Sequence, residues 1–539
     1  MLPKNILFFF VLLFFKFLCS FPTYSSSIEN CSNNPESKCY DVVHYRLEIE
    51  FQIEQKSING YNEILFKTNH NTSTIQIDLD DKLILDSLVH KNQKLKTTHF
   101  KNYYFIHFPI ELVKNEYHQV IAYYHGKPKE ATNPPWEGGI VWKKDSLNNP
   151  WVGIACEGIG ASCWMPCKND LSDKPDSVRC KFIVPRELKC ISNGVLENTI
   201  QLANNRTGFI WKTNYPISHY NITFYIGKYE HFYDTISYDA DSLVLDFYVL
   251  DYHKRIAQNH FKQTANIIKT YEFYFGKYPF IKDGYAVVES PYLGMEHQSA
   301  IAYGNNFKND NLIDFIILHE TAHEWWGNHV AADDYAEMWI QESFATYSEW
   351  LFYEKNYGKR TAIDYALNQK KLIKNQTPML GKREICYPSL DNLDIYYKGA
   401  WMLHTIRSIV SNDSLWFALL KSIQKTFSLK NINTEILLNH IDDFLKIPVS
   451  SIIKYYLNHI NIPIILVKTT PLSNSRWRIN YKILLKKNEN IVFPIDVFIN
   501  NKTTKINCEK TFQEIIINSE KKPTVYFSEK NYLITLISN

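Results

Sequence analysis

His319 and His323 stand four residues apart, with Glu320 directly after the first. On a helix that spacing puts both imidazoles on nearly one face, where they can reach a single ion. Glu320 can then lie beside the ion without binding it. Glu342, in the stretch Trp339-Ile340-Gln341-Glu342-Ser343-Phe344-Ala345, suits a third ligand delivered from a second helix. Two histidines and one carboxylate leave a fourth zinc position for water. That is the ligand set of a catalytic zinc site rather than a structural one.

The competing reading is a core helix whose histidines are ordinary polar-edge residues. The flanking residues argue against it. Ile313, Phe315, Ile316, Ile317 and Leu318 lead into His319; Trp325 and Trp326 follow His323, and Gly327-Asn328 marks the expected helix end. A helix apolar on most sides is buried. Two histidines and a glutamate inside it are costly unless something such as a metal satisfies them.

The chain that must position these groups has 539 residues, enough for about two to four domains. Its formal net charge of +3 gives no electrostatic footprint for nucleic acid and no polybasic membrane patch. Aromatic residues make up 15% of it, which excludes a disordered chain. At the N-terminus, Lys4 precedes residues 6–18, apolar except for Lys16, and Leu18-Cys19-Ser20 offers a cleavage site. The run is too short to span a bilayer comfortably and fits a signal peptide over residues 1–20. The expectation is an exported protein, periplasmic or extracellular, with no transmembrane span in the mature chain. A lipid anchor on Cys19 is the alternative. Ten cysteines are compatible with export. Cys31 and Cys39 could close a small loop. Cys156, Cys163 and Cys167, with Cys180 and Cys190 soon after, read as buried thiols with one or two disulfides rather than a second metal site, since their spacing is not that of a zinc ribbon.

Period-2 alternation marks the first part of the chain as β. Tyr45, Leu47, Ile49, Phe51 and Ile53 alternate with polar residues, and further strand candidates lie at 75–79, 120–124, 208–211 and 220–226. Asn59-Gly60 and Ser192-Asn193-Gly194 read as turns between strands. From about residue 232 the texture changes. Residues 253–275 read as one long helix, 285–288 as a strand, and 401–410, 415–426, 436–444 and 452–459 as helices. Beyond Pro463 strand patterns return at 477–485, 491–499 and 524–527. The predicted organisation is a β domain over 21–232, an α-rich domain over 233–462 and a small β domain over 463–539, a multidomain α+β chain.

These residues resemble those of the M1 zinc aminopeptidases, the gluzincin group that includes aminopeptidase N and leukotriene A4 hydrolase, and the short three-domain bacterial members above all. The resemblance runs from about residue 40 to the C-terminus and is strongest over 289–305, 319–350 and 396–407. His319, Glu320, His323 and Glu342 fit the family's extended zinc motif. It implies a saddle-like N-terminal β-sheet domain, a thermolysin-like catalytic domain and a zinc-dependent aminopeptidase with one Zn2+ per chain, acting as a monomer on peptides with a free N-terminus. Glu320 is then the general base. Leu293-Gly294-Met295-Glu296-His297 aligns with the exopeptidase motif Gly-x-Met-Glu-Asn, so Glu296 resembles the carboxylate that holds the substrate's α-ammonium, and the backbone N–H groups of Gly294 and Met295 are expected on the substrate backbone. Tyr396-Tyr397-Lys398-Gly399-Ala400 aligns with Tyr-x-Lys-Gly-Ala, which makes Tyr396 rather than Tyr397 the oxyanion partner. Glu157 falls where the family usually has Gln and sometimes Glu, helping to bind the N-terminus; a structural carboxylate is its alternative. Glu349 either orients a histidine or is a solvated surface residue.

Leu293 and His297 depart from the motif's Gly and Asn and are expected to reshape the S1 side of the cleft. Rival functions are a thermolysin-type endopeptidase, a non-peptidase hydrolase resembling leukotriene A4 hydrolase, and a silent scaffold. The Met295-Glu296 pair speaks against the first, the β texture of the C-terminal region against the second, and the complete zinc and base positions against the third.

Overall fold

The computed structural model describes residues 34–309, 312–384, 392–486, 489 and 491–538. The apolar run 6–18, Cys19 and Cys31 lie outside the described residues. None of the described helices is long and apolar enough to cross a membrane.

The alternating residues after position 40 build the centre of an eight-stranded sheet. Tyr40–Gln52 pairs antiparallel with Ser57–Thr68 on one side and parallel with Ser177–Pro185 on the other. Tyr45, Leu47, Ile49 and Phe51 all point into the core. Three-stranded and four-stranded sheets complete this first β region. Asn59-Gly60 is not a turn: both residues lie within Ser57–Thr68, with Asn59 opposite Glu50 and Gly60 opposite Ile49. The strand pairs along its length on both sides, with Tyr40–Gln52 and with Tyr117–Gly126. That ladder outweighs a local turn preference. Ser192-Asn193-Gly194 does separate two strands, Lys189–Ser192 and Val195–Leu202.

The next region opens on a five-stranded sheet whose first strand, Tyr229–Ser237, spans residues 232 and 233. Gly294–Met295 forms its edge, antiparallel to Ile301–Tyr303. The long helix expected over 253–275 is divided into Lys254–His260 and Thr264–Phe275 by the 3-10 turn Phe261–Gln263. At the break the Gln263 Nε2 takes the His260 carbonyl (2.8 Å) and its Oε1 takes the Asp314 N–H (2.9 Å), while Phe261 packs on Phe247 and Tyr303. Side-chain bonds to the backbone here compete with the helical ladder.

Four helices follow the zinc motif at Tyr397–Val410, Asp413–Thr426, Thr434–Leu445 and Ser450–Asn458, close to their expected spans. Asn412 and Asn433 cap two of them, accepting from Leu415 and Ile436 N–H. The chain then returns to strands from Ile464 onward, in a four-stranded and a three-stranded sheet. Buried apolar side chains run as one cluster from the first sheet through the helices to the last strands. The architecture is mixed α+β, with β regions flanking a helical one.

Candidate metal centre and amine-binding carboxylates

The first histidine sits on a short helix, Phe315–Ala322, whose N-terminus is capped by the Asp314 carboxylate accepting from Ile316 N–H at 3.0 Å. The helix ends at Ala322, with His323 as its C-cap, and so stops earlier than Gly327-Asn328 suggested. The winding tightens there: Glu324 N–H reaches Thr321, and both Trp325 and Trp326 N–H reach Ala322. The carbonyls just beyond the helix are not orphaned. The Trp325 carbonyl accepts from Gln424 and Val330, and the Trp326 carbonyl from the His323 ring.

Glu342 comes from the segment Trp339–Lys370, two helices broken at Gly358. Its Oε2 is buried, has no hydrogen-bond partner and lies 3.4 Å from the Nε2 of both His319 and His323. Those two nitrogens are 3.1 Å apart. The opposite ring nitrogens are already committed. His319 Nδ1 faces Glu349 Oε1 at 2.7 Å, and His323 Nδ1 faces the Trp326 carbonyl at 2.9 Å. Both acceptors demand an N–H, so each imidazole carries its proton on Nδ1 and turns an Nε2 lone pair inward. Two lone pairs and a carboxylate oxygen on one buried point repel one another unless a cation lies between them. Without an ion, protons take its place: burial would push Glu342 up, but the two imidazoles hold it down at about 2, and burial would lower His323, yet Glu342 raises it to about 9, so Nε2 then carries a proton toward Glu342. All three ligand atoms fall within 4.8 Å of one another. The donor set fits a zinc ion.

Glu349, left between two readings by its sequence position, is buried against His319. Its other oxygen accepts from Tyr365 at 2.6 Å and Gln369 at 2.8 Å. Both partners lie beyond the break at Gly358, which lets that second helix fold back on the first. A carboxylate so held fixes the tautomer and the plane of a histidine ligand.

Glu320 lies on the side of the group facing the edge strand. Burial pushes its carboxyl up to about 7. A Cβ on Gly294 would fall 2.5 Å from Glu320 Oε1, so the edge strand runs close against this carboxylate. Glu296, two residues on, is buried; Glu296, Glu320 and His323 bring ligand atoms within 4.8 Å of one another. Burial raises the Glu296 carboxyl, and the Tyr220 hydroxyl donates to its Oε1 at 3.0 Å. Glu157 joins from the first β region. Burial, then the Glu296, Glu342 and Glu320 charges, hold it well above the usual carboxylate range, and its Oε1 is buried without a partner.

The Tyr396 ring stands 6.0 Å from the His319 ring. Burial, then Glu342, Glu157, Glu296 and Glu320, keep its hydroxyl protonated, whereas the charge beside Tyr397 is Glu349. The following helix is pressed on the Glu342 helix: Ser343 Oγ donates to the Ile395 carbonyl at 2.6 Å, and any Cβ on Gly399 would overlap that same Oγ. The Lys398 Nζ anchors the helix from the other side on the His459 carbonyl at 2.6 Å.

The nine expected site residues thus converge, through their side chains or as the adjoining edge strand. Leu293 is half-buried beside them. His297 is fully buried with its Nδ1 2.6 Å from the Tyr225 hydroxyl, so it meets the first β region. Sequence reasoning missed Tyr220, Gln341, Glu324 and Asn328. Glu324 accepts from Ser299 N–H and the Tyr278 hydroxyl; Asn328 donates to the Glu296 carbonyl at 2.9 Å. For Glu324 and Asn328 the neighbouring zinc motif is a signal; Tyr220 has none. The Cys156, Cys163, Cys167, Cys180 and Cys190 cluster consists of buried free thiols, and Cys39 is free with its Sγ 3.2 Å from the Glu36 carbonyl. The one or two disulfides expected among them are absent from the described residues.

The family model for the peptidase family M1 domain matches residues 258–456. Leukotriene A-4 hydrolase of Xenopus laevis is 22% identical over 74% of this chain and 67% of its own length. Probable aminopeptidase 2 of Sulfurisphaera tokodaii is 23% identical over 89% and 62%, and glutamyl aminopeptidase of Sus scrofa 22% over 62% and 36%. The chain thus spans about a third to two thirds of these curated relatives. An M1 zinc metallopeptidase of Deinococcus radiodurans, solved as a mutant bound to a Tyr-Ser-Ala substrate, superposes with a TM-score of 0.67 at 19% identity, covering 79% of this chain and 95% of that one. The matched residues carry the metal group: residues 258–456 match the peptidase family M1 domain, and the fold is similar to that of an M1 zinc metallopeptidase.

Proposed function

We propose that the chain is a zinc-dependent aminopeptidase that removes the N-terminal residue from peptides, as a monomer with one zinc ion per chain. The observation that carries this reading is the nearness of Glu296 to the His319–His323–Glu342 group. A carboxylate unneeded for metal binding, buried one short step from it, suits a substrate's free ammonium. The relatives named aminopeptidases and the Deinococcus peptidase bound to a tripeptide support the same substrate class.

His319, His323 and Glu342 would hold the ion, with Glu349 orienting His319. Zinc supplies a Lewis acid that lets water be deprotonated near neutral pH. Glu320 takes that proton and delivers it to the leaving amine. The Tyr396 hydroxyl donates to the oxyanion as it develops. Glu296 and Glu157 hold the ammonium, and the edge strand Gly294–Met295 aligns the substrate backbone by adding it to the sheet. Because anchor and metal are fixed relative to one another, only one residue fits between them. The domain limits at 232 and 462 and export of the protein belong to the same reading.

The test replaces Glu296 by Ala and compares a free-amine peptide with its N-acetyl form. The expected result is a KM for the free-amine peptide raised about tenfold or more, with discrimination against the acetylated one reduced. Unchanged KM and unchanged discrimination would show that the amine is held elsewhere.

A further inference from the structure

Glu296 does not hold its orientation unaided. Its Oε1 accepts from Tyr220, which lies in the turn His219–Asn221 of the first β region and is buried. The Tyr220 oxygen also meets Gln341 Nε2 at 3.1 Å. Gln341 directly precedes Glu342, the carboxylate of the metal group. The orientation of its amide is fixed, because Gln341 Oε1 accepts from Ala332 N–H at 3.2 Å. The NH2 end therefore faces Tyr220 and donates to it. A phenol has one proton. With its oxygen accepting from Gln341, that proton goes to Glu296. The chain runs in one direction, from the Gln341 amide through the Tyr220 hydroxyl to the Glu296 carboxylate.

Tyr220 reaches the second carboxylate as well. Its backbone carbonyl accepts from the Cys156 thiol at 3.3 Å, and Cys156 precedes Glu157. One residue thus touches Glu296 through its side chain and the Glu157 segment through its backbone, and it ties both to the helix that carries Glu342. The backbone of Glu296 is held independently, its carbonyl accepting from Asn328 Nδ2 at 2.9 Å. What Tyr220 adds is the rotation of the carboxylate itself.

We infer that Tyr220 is a positioning residue for the substrate's α-ammonium: it occupies one oxygen of Glu296, leaves the other for the ammonium, and through Gln341 registers the amine anchor against the metal group. This rests on the aminopeptidase reading above. Its physical content is a hydrogen bond to a buried charge, which is stronger than a neutral one and costly to leave unmade. The aromatic ring is not required for it; the hydroxyl is.

The experiment uses the full zinc-loaded chain and the variants Tyr220→Phe, Glu296→Ala and their combination. Steady-state kinetics on a leucyl fluorophore are measured beside zinc content and Tm. Calorimetry then measures L-leucinamide and N-acetyl-L-leucinamide binding to Glu320→Gln, with and without Tyr220→Phe. The expected result for Tyr220→Phe is a KM raised about tenfold with kcat changed less than about twofold. Zinc content is expected to be unchanged, and L-leucinamide affinity to fall by the same factor as KM rises. The double variant is expected to be no worse than Glu296→Ala alone, since both changes act through one contact. Gln341→Glu is the second probe: it keeps Tyr220 and its ring packing but offers the phenol proton a competing carboxylate, so KM again rises. If Glu296→Ala raises KM while neither Tyr220→Phe nor Gln341→Glu does, the anchor stands and Tyr220 has no part in it. A fall in kcat at constant KM, or losses that add in the double variant, likewise overturns the inference. If Glu296→Ala itself leaves KM and L-leucinamide binding unchanged, the anchor and this inference fail together.

Discussion

The candidate metal group and the carboxylates proposed to bind the amine share one buried space but are assembled differently. His319, His323, Glu342 and Glu349 come from one helix–loop–helix stretch, and partners orient three of them: Glu349 and the Trp326 carbonyl fix the two imidazoles, and Tyr365 and Gln369 fix Glu349. Glu157, Tyr220, Glu296 and Gln341 come from three separate parts of the chain and meet only because the first β region closes on the catalytic one. The first group solves a problem of charge, gathering donors that only a cation reconciles. In the proposed function the second solves a problem of distance, setting how far a substrate's amine stands from that cation. Damage to the first should therefore appear in metal content and kcat, and damage to the second in KM and in the choice of substrate end.

Four substitutions sharpen that contrast. Glu320→Gln removes the base and leaves the ligands; kcat should fall by about 10²–10⁴ with zinc retained, which metal analysis beside the kinetics would establish. Tyr396→Phe removes one oxyanion donor, and a fall in kcat of about 10²–10³ at nearly constant KM is expected; a change confined to KM would move Tyr396 into the binding group. Glu349→Ala leaves His319 without its orienting carboxylate, so zinc affinity measured by chelator competition should weaken about 10- to 100-fold. Full affinity in that variant would mean that His319 is held by packing alone. Gly399→Ala forces the Tyr396 helix off Ser343; a stability loss of about 1–3 kcal/mol is expected in denaturant titration, with kcat reduced through the displaced tyrosine. An unperturbed variant would show that the helix pair has slack.

The two groups are also unequally legible in the amino-acid sequence. A histidine pair at helical spacing with a carboxylate on the next helix is a local pattern, so the metal group can be read from residue types and offsets. The strand alternation around Tyr45 to Phe51 and the late helices are legible for the same reason: periodicity is local. What residue patterns misread is decided by distant contacts. Asn59-Gly60 looks like a turn until the ladders on both sides of Ser57–Thr68 are present. The helix expected over 253–275 is interrupted because Gln263 bonds Asp314, far along the chain. Past the end of the zinc helix, the Trp325 carbonyl is taken by Val330 N–H and by Gln424, far along the chain. Tyr220 is one tyrosine among 36, and nothing near it in the chain distinguishes it.

In the proposed function the metal group and the amine anchor act on one substrate. The most direct measurement is release of fluorophore from a panel of aminoacyl conjugates and their N-acetyl forms, with chelator and then with zinc restored. Release is expected from free-amine conjugates only, abolished by the chelator and recovered with zinc. Release that survives full removal of zinc, or equal cleavage of acetylated conjugates, would contradict it.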